Sequence, residues 1–239
     1  MFKIFKPQQD PAIEFLCHEE DWDVIPKPVP ARSMIPNWFK ALPPKIGNQG
    51  LNSSTLKRCH PFLDAISIGW IIPLAADVEF VVNSDCSGIS YQWNFYKTMV
   101  ENHGMDQITT SEVPNPQVPK PPMKFINHWA IRVPSDYSVL FLPPINRPDP
   151  RFECFAGLVD CDGYFEFVNF PFLFHEPNWS GILPAGTPLV QAIPIKRSTI
   201  LKHGTIRPFA AQDHADINMT RRRRASHESL YKDNIWTKK

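Results

Sequence analysis

Apolar and polar residues follow a short-strand pattern over the second half of the chain. From 125 to 197, blocks of apolar or alternating residues predict strands at 125–133, 137–142, 152–159, 165–174 and 189–195. Turn chemistry separates them: Pro134-Ser135-Asp136, Asn146-Arg147-Pro148-Asp149, Asp160 to Gly163, and Pro184-Ala185-Gly186. Upstream, 70–74 and 78–83 read as strands, and Ile89 to Tyr96 alternates like a half-buried one. One helix is expected at 54–69, where Leu56, Cys59, Leu63 and Ile66 recur at three and four and Ser53 or Ser54 caps. A polar helix is expected at 213–236, capped by Asp213 and anchored by Ile217, Leu230, Tyr231 and Trp236.

The first 50 residues differ. Pro26, Pro28 and Pro30 alternate, a spacing that forbids helix and favours polyproline II or edge-strand geometry. Pro36 starts a short helical turn through Trp38 and Phe39, and Pro43-Pro44 stops it. The expected organisation is a proline-rich arm (1–50), a β-rich body (51–197) and a basic tail with a C-terminal helix (198–239). The expected fold is mainly β, a β-clip or jelly-roll-like barrel.

Composition sharpens this. The 239 residues include 26 prolines and only 10 glycines, which opposes a helical bundle or a doubly wound sheet. A proline-rich loop is expected at 109–124, long enough to be functional or disordered. The net charge is +1, but residues 196–239 hold eleven Lys/Arg against four Asp/Glu. Such a tail docks on its own body, on a neighbouring subunit or, less expectedly, on nucleic acid.

The five cysteines are scattered without a CxxC pair, which gives no zinc or thioredoxin motif and suits a reducing compartment. There is no signal-peptide core after Met1 and no 18-residue apolar run, so a cytoplasmic location is expected, the host cytoplasm if the protein is phage-encoded. Nucleotide motifs of the GxGxxG and GxxxxGK[ST] kinds are absent, and no nucleophile elbow occurs.

One constellation carries chemistry. Gly157-Leu158-Val159-Asp160-Cys161-Asp162-Gly163-Tyr164 ends a strand in acids, a glycine and an aromatic ring; Asn169 follows, then Gly186 to Gln191. With Pro134 to Tyr137, this order resembles the β-clip core of trimeric dUTPases and dCTP deaminases. The resemblance implies an oligomer. It puts Asp160 where a carboxylate activates water and Tyr164 where a ring packs on deoxyribose. Gln191 would then lie on the strand lining a nucleotide site between subunits. Magnesium is implied only if the protein hydrolyses a nucleotide. The family's "R-S-G-L-A" phosphate loop is replaced by Pro143-Pro144-Ile145-Asn146-Arg147, which leaves Asn146 and Arg147 as candidate ligand contacts.

The phrases at 30–40, 60–65, 137–149, 169–172 and 182–188 also resemble a family of tailed-phage and bacterial proteins of about this length, which supplies no activity. Three functional expectations follow. The first is binding of a nucleotide or other small ligand. The second is a non-enzymatic phage-type accessory or assembly role. The third is a cupin-like non-haem iron oxygenase drawing on His103, Asp106, His128 and His175; the His214-Ala215-Asp216 triplet is poorly placed for such a metal. Simpler readings remain open: Asp160 and Asp162 as turn formers, Arg147 paired with Asp149, and Asn169 at a bulge.

Overall fold

A computed structural model describes residues 11–48, 51–103, 122–227 and 229–237. The proline-rich loop expected at 109–124 falls outside the described residues except for 122–124, as does Asp106. The fold is mainly β and divides into two compact units. The first comprises Met1–Pro36 and Ile66–Ser198, the second Asn37–Ala65 and Thr199–Lys239.

The first unit holds β1 (Glu14–Leu16) and β2 (Val29–Pro30) from the proline-rich stretch. The second unit contributes β3 (Lys45–Asn48) and β4 (Leu51–Ser54), which form a hairpin of their own. The chain then returns to the first unit with β5 (Trp70–Pro73), β6 (Val78–Val82), β7 (Ile89–Trp93), β8 (Val100–Asn102), β9 (Met123–Phe125) and β10 (Ala130–Arg132). β11 (Tyr137–Leu142), β12 (Phe152–Cys154), β13 (Gly157–Val159), β14 (Phe170–Phe174), β15 (Ser180–Leu183) and β16 (Pro188–Lys196) complete it.

All pairings are antiparallel. They build a five-stranded sheet β13-β11-β16-β5-β2, a four-stranded sheet β12-β14-β9-β8, a three-stranded sheet β15-β6-β7 and the pair β1-β10. None closes into a barrel among the described residues.

Aromatic rings join these sheets. Phe80 on β6 meets Phe174 on β14 at 4.8 Å between centroids and Phe141 on β11 meets Phe170 on β14 at 5.6 Å, while within the four-stranded sheet Phe125 stacks on Phe172 at 3.8 Å. Each ring buries a large apolar area, and together they form the centre of the core.

Several expected strands are divided, and side chains explain where. The 125–133 stretch becomes β9 and β10 because Asn127 pairs with the chain two residues on. Its Oδ1 accepts from Trp129 N (3.0 Å) and its Nδ2 donates to Trp129 O (2.7 Å). The 152–159 stretch becomes β12 and β13, which belong to different sheets. The 165–174 strand begins only at Phe170, and β15 occupies a segment where no strand was expected.

In the second unit, Thr55 Oγ1 accepts from Lys57 N (3.2 Å) and caps a 3-10 turn, Leu56–Arg58. The helix expected at 54–69 therefore starts later, as α2 (His60–Ser67), after α1 (Asn37–Ala41). The C-terminal helix α3 (Ala211–Ser226) has no buried residue; a π-helical turn, Tyr231–Ile235, follows it.

Candidate functional site

The central strands β11 and β16 run antiparallel, pairing Tyr137 with Lys196 at one end and Leu142 with Gln191 at the other. The residues singled out from sequence fall into three places on this frame.

At the Leu142 end, Gln191 is fully buried and spans two segments. Its Oε1 accepts from Ile145 N (3.0 Å) and its Nε2 donates to Ile68 O (2.6 Å). This ties down the 143–147 loop, in which Asn146 adopts a positive φ of 55°. Arg147 turns inward: Nη1 donates to Met34 O (2.8 Å), and Nη2 donates to Ala31 O (3.2 Å) and Ile66 O. Asp149 does not pair with Arg147, correcting that expectation. It takes Arg151 instead, through Nε–Oδ1 (2.8 Å) and Nη2–Oδ2 (2.6 Å), because Arg147 is drawn away to the carbonyls of residues 31, 34 and 66. Arg147 is left with carbonyl partners only, and its buried Nε has no hydrogen-bond partner. Burial lowers its affinity for a proton, so the charge sits in an unfavourable medium.

Above this loop opens a cavity of about 650 Å³. Pro143, Pro144, Pro148, Pro150 and Pro188 wall it, and Arg147, Glu153 and His175 supply polar groups. His175 Nε2 lies 3.4 Å from Glu153. The cavity itself was not legible in the sequence; its signal was the clustering of prolines around 143–150.

At the Tyr137 end, Asp160 follows β13. Its Oδ1 accepts from Ser138 Oγ (2.6 Å) and lies 3.3 Å from Arg197 Nη1, while its side chain stays 69 % exposed. Asp162 is the more deeply held acid, bound by Arg197 and by Asp136 N (3.0 Å). The Arg197 guanidinium draws its carboxyl down to about 2. Asp160 and Gln191 are thus four residues apart along β11, roughly 14 Å at strand rise.

Tyr164 is half exposed, and its backbone N–H closes the turn on Asp160 O (2.9 Å). Asn169 lies just before β14, and its Oδ1 accepts from Asn127 N (3.1 Å). Gln191 thus bonds to the loop that carries Asn146 and Arg147, whereas Asp160, Tyr164 and Asn169 bond to other segments.

The histidines do not converge. His128 is buried against Thr98 O (3.1 Å), and among the described residues no three His, Cys, Asp or Glu side chains form a metal-holding group. Likewise, no described helix is long and apolar enough to cross a membrane. The second unit contains a separate cleft in which Lys57 and Arg58 join Arg224 and Lys232. The charge count alone had placed all of this basic character in the tail.

No protein-family model matches the chain, and no curated protein matches it.

Proposed function

We propose that the β-rich unit is a small-ligand-binding domain of β-clip type, with its ligand seated in the proline-walled cavity. The observation that carries this reading is Arg147. It is a partly buried cation lining the cavity, with carbonyl partners and, among the described residues, no carboxylate partner. A charge left uncompensated in this way favours an anionic ligand group, and the cavity volume suits a small molecule with an apolar body. A nucleotide fits this description, and so does an apolar carboxylate. Hydrolysis is not part of the proposal. Asp160 is committed to Ser138 and Arg197, and it lies roughly 14 Å from Gln191 along the sheet.

Thermal-shift measurements with deoxynucleotides, with and without magnesium, and with benzoate as a carboxylate probe test this. A ligand at 100 times its Kd adds about 2.7 kcal/mol, readily seen as a rise in Tm. The rise should vanish in Pro150→Trp, which fills the exposed mouth, and persist in Asp160→Asn. No shift with any probe, or a shift indifferent to Pro150→Trp, overturns the reading.

A second reading, an accessory or assembly role, draws on one feature of the second unit. In the stretch 200–209, Ile200, Leu201, Ile206 and Phe209 are all exposed, Leu201 at 92 %. Exposed apolar side chains this dense in sequence suit a protein partner. Leu201→Asp with Ile206→Asp should lower the assembled mass by light scattering; an unchanged mass opposes it.

A further inference from the structure

The second unit holds thirteen Lys/Arg against five Asp/Glu, a formal charge of +8, while the rest of the chain carries −7. The concentration is greater than the tail alone suggested, because residues 37–65 add four cations and one acid. Local structure then gathers part of this charge into a cleft of about 620 Å³ lined by Lys57, Arg58, Arg224 and Lys232.

The cleft is built rather than incidental. Lys57 Nζ donates to Phe39 O (3.0 Å) and Lys40 O (2.9 Å), the carbonyls ending α1, which holds one wall. Arg58 Nη2 donates to Ser229 Oγ (3.2 Å), and Trp236 Nε1 donates to Asp64 Oδ2 (2.8 Å), which fasten the C-terminal segment to 54–64. His60 packs on Trp236 at 5.2 Å between rings. Hydroxyls of Thr55, Ser229 and Tyr231 also line the space.

Among the described residues, the acids of this unit already have partners. Asp213 is bound by Arg207 and caps α3 at Ala210 N (2.7 Å), and Asp216 accepts from Gln212 (2.8 Å). Asp233 lies 3.0 Å from His227, and Asp64 holds Trp236. Among the described residues, Arg221, Arg222, Arg223, Arg224 and Lys232 have no ion-pair partner.

We propose that the second unit binds nucleic acid, seating backbone phosphates in the cleft between the 54–61 segment and the Arg224–Lys232 segment. Successive Arg221 to Arg224 side chains fan out by about 100° each on α3, so the surface continues beyond the cleft. This span of cations exceeds what one phosphate engages and matches a chain of them. Contacts are to the phosphodiester backbone, so sequence preference is weak. Tyr231, 42 % exposed at the cleft, is placed to stack on an unpaired base.

The test is fluorescence anisotropy of the full chain with a labelled 20-nucleotide single-stranded DNA, the same RNA sequence and a DNA duplex. Binding that engages about four phosphates has a salt slope of about −2.8 for single strands and about −3.6 for duplex. Raising NaCl from 50 to 200 mM should therefore weaken single-strand binding about 50-fold. The double variant Arg224→Ala/Lys232→Ala removes two exposed side chains that the fold does not use. It should retain the wild-type Tm, bind more weakly and lose about 1.4 from the single-strand slope. The three probes decide which nucleic acid is preferred. The proposal fails if none binds at 50 mM NaCl, or if the double variant binds with unchanged affinity and slope. It also fails if that variant alters the assembled mass but not oligonucleotide binding, since the surface would then join copies of the chain.

Discussion

Arg197 and Asp162 form a two-pronged ion pair across the first unit's central sheet, with Nη1 donating to Oδ1 at 2.9 Å and Nη2 donating to Oδ2. The pair joins the end of β16 to the turn after β13, and Asp136 N adds a third bond at 3.0 Å. Its placement explains the otherwise ordinary Asp-Cys-Asp-Gly turn: the second acid locks it, and the first, though bonded to Ser138, stays largely exposed.

The lock has a pH signature. Arg197, before any other cause, holds the Asp162 carboxyl at about 2, below the about 3.9 of an unfolded aspartate. A depressed folded value means the stabilisation is complete above about pH 4 and is lost as pH falls toward 2. Asp162→Asn should lower Tm at pH 7 and flatten the fall of Tm between pH 4 and pH 2. Asp160→Asn, at a side chain 69 % exposed, should change Tm far less. Equal effects from the two variants, measured by thermal scans across this range, would contradict the assignment.

Gln191 gives a second prediction. It is completely buried, and both ends of its amide are used, by Ile145 N and Ile68 O. Gln191→Leu keeps the volume but strands two backbone groups, each costing about 1–3 kcal/mol. A loss of about 3 kcal/mol in urea unfolding is expected, with loosening of the 143–147 loop. If Gln191 served only a ligand, the variant would bind poorly at unchanged stability.

The cysteines make a third. Cys86, Cys154 and Cys161 are buried, while Cys17 and Cys59 are half-buried. Burial, aided by Asp160 and Asp162, pushes the Cys161 thiol up to about 11, and burial pushes Cys154 up as well. Because the thiolate is the reactive form, native protein at pH 8 should give no more than two thiols to a disulfide reagent. The remaining three should react only as denaturant opens the core. Rapid native reaction at Cys154 or Cys161 would overturn this.

How much of this was legible in the sequence depends on how local the cause is. β11 keeps its expected bounds because Val139 and Phe141 alternate into the core, with Leu140 and Leu142 half-buried, on a strand with two neighbours. The turns at Asp136 and Gly186 were legible because both positions take positive φ. The divided strands were not, since a single Asn127 side chain decides that β9 ends and β10 begins elsewhere. Gln191 and the 143–147 loop were singled out from sequence as ligand contacts; the structure shows Gln191 holding that loop, and Arg147's inward turn depends on carbonyls from residues 31, 34 and 66. The basic cleft needed Arg58 and Ser229 to meet across 171 positions, and no spacing rule reports that.

Two glycines with positive φ provide the last prediction, because only one of them is crowded. Gly69 (φ 72°), just before β5, sits where an added Cβ would lie 2.2 Å from Ala192 O on β16. Gly186 (φ 88°), in the turn before β16, has no atom within 4 Å of that position. Gly186→Ala therefore suffers only the backbone strain of a left-handed residue, about 1 kcal/mol. Gly69→Ala suffers the same strain and must also push apart β5 and β16, which are paired through Ala192 and Trp70. A further loss of about 1–3 kcal/mol is expected, the range typical of overpacking. Urea midpoints of the two variants, compared at equal m-values, measure the difference directly. Equal midpoints would mean that the Gly69 turn relaxes freely and that the β5–β16 pairing does not depend on its close approach.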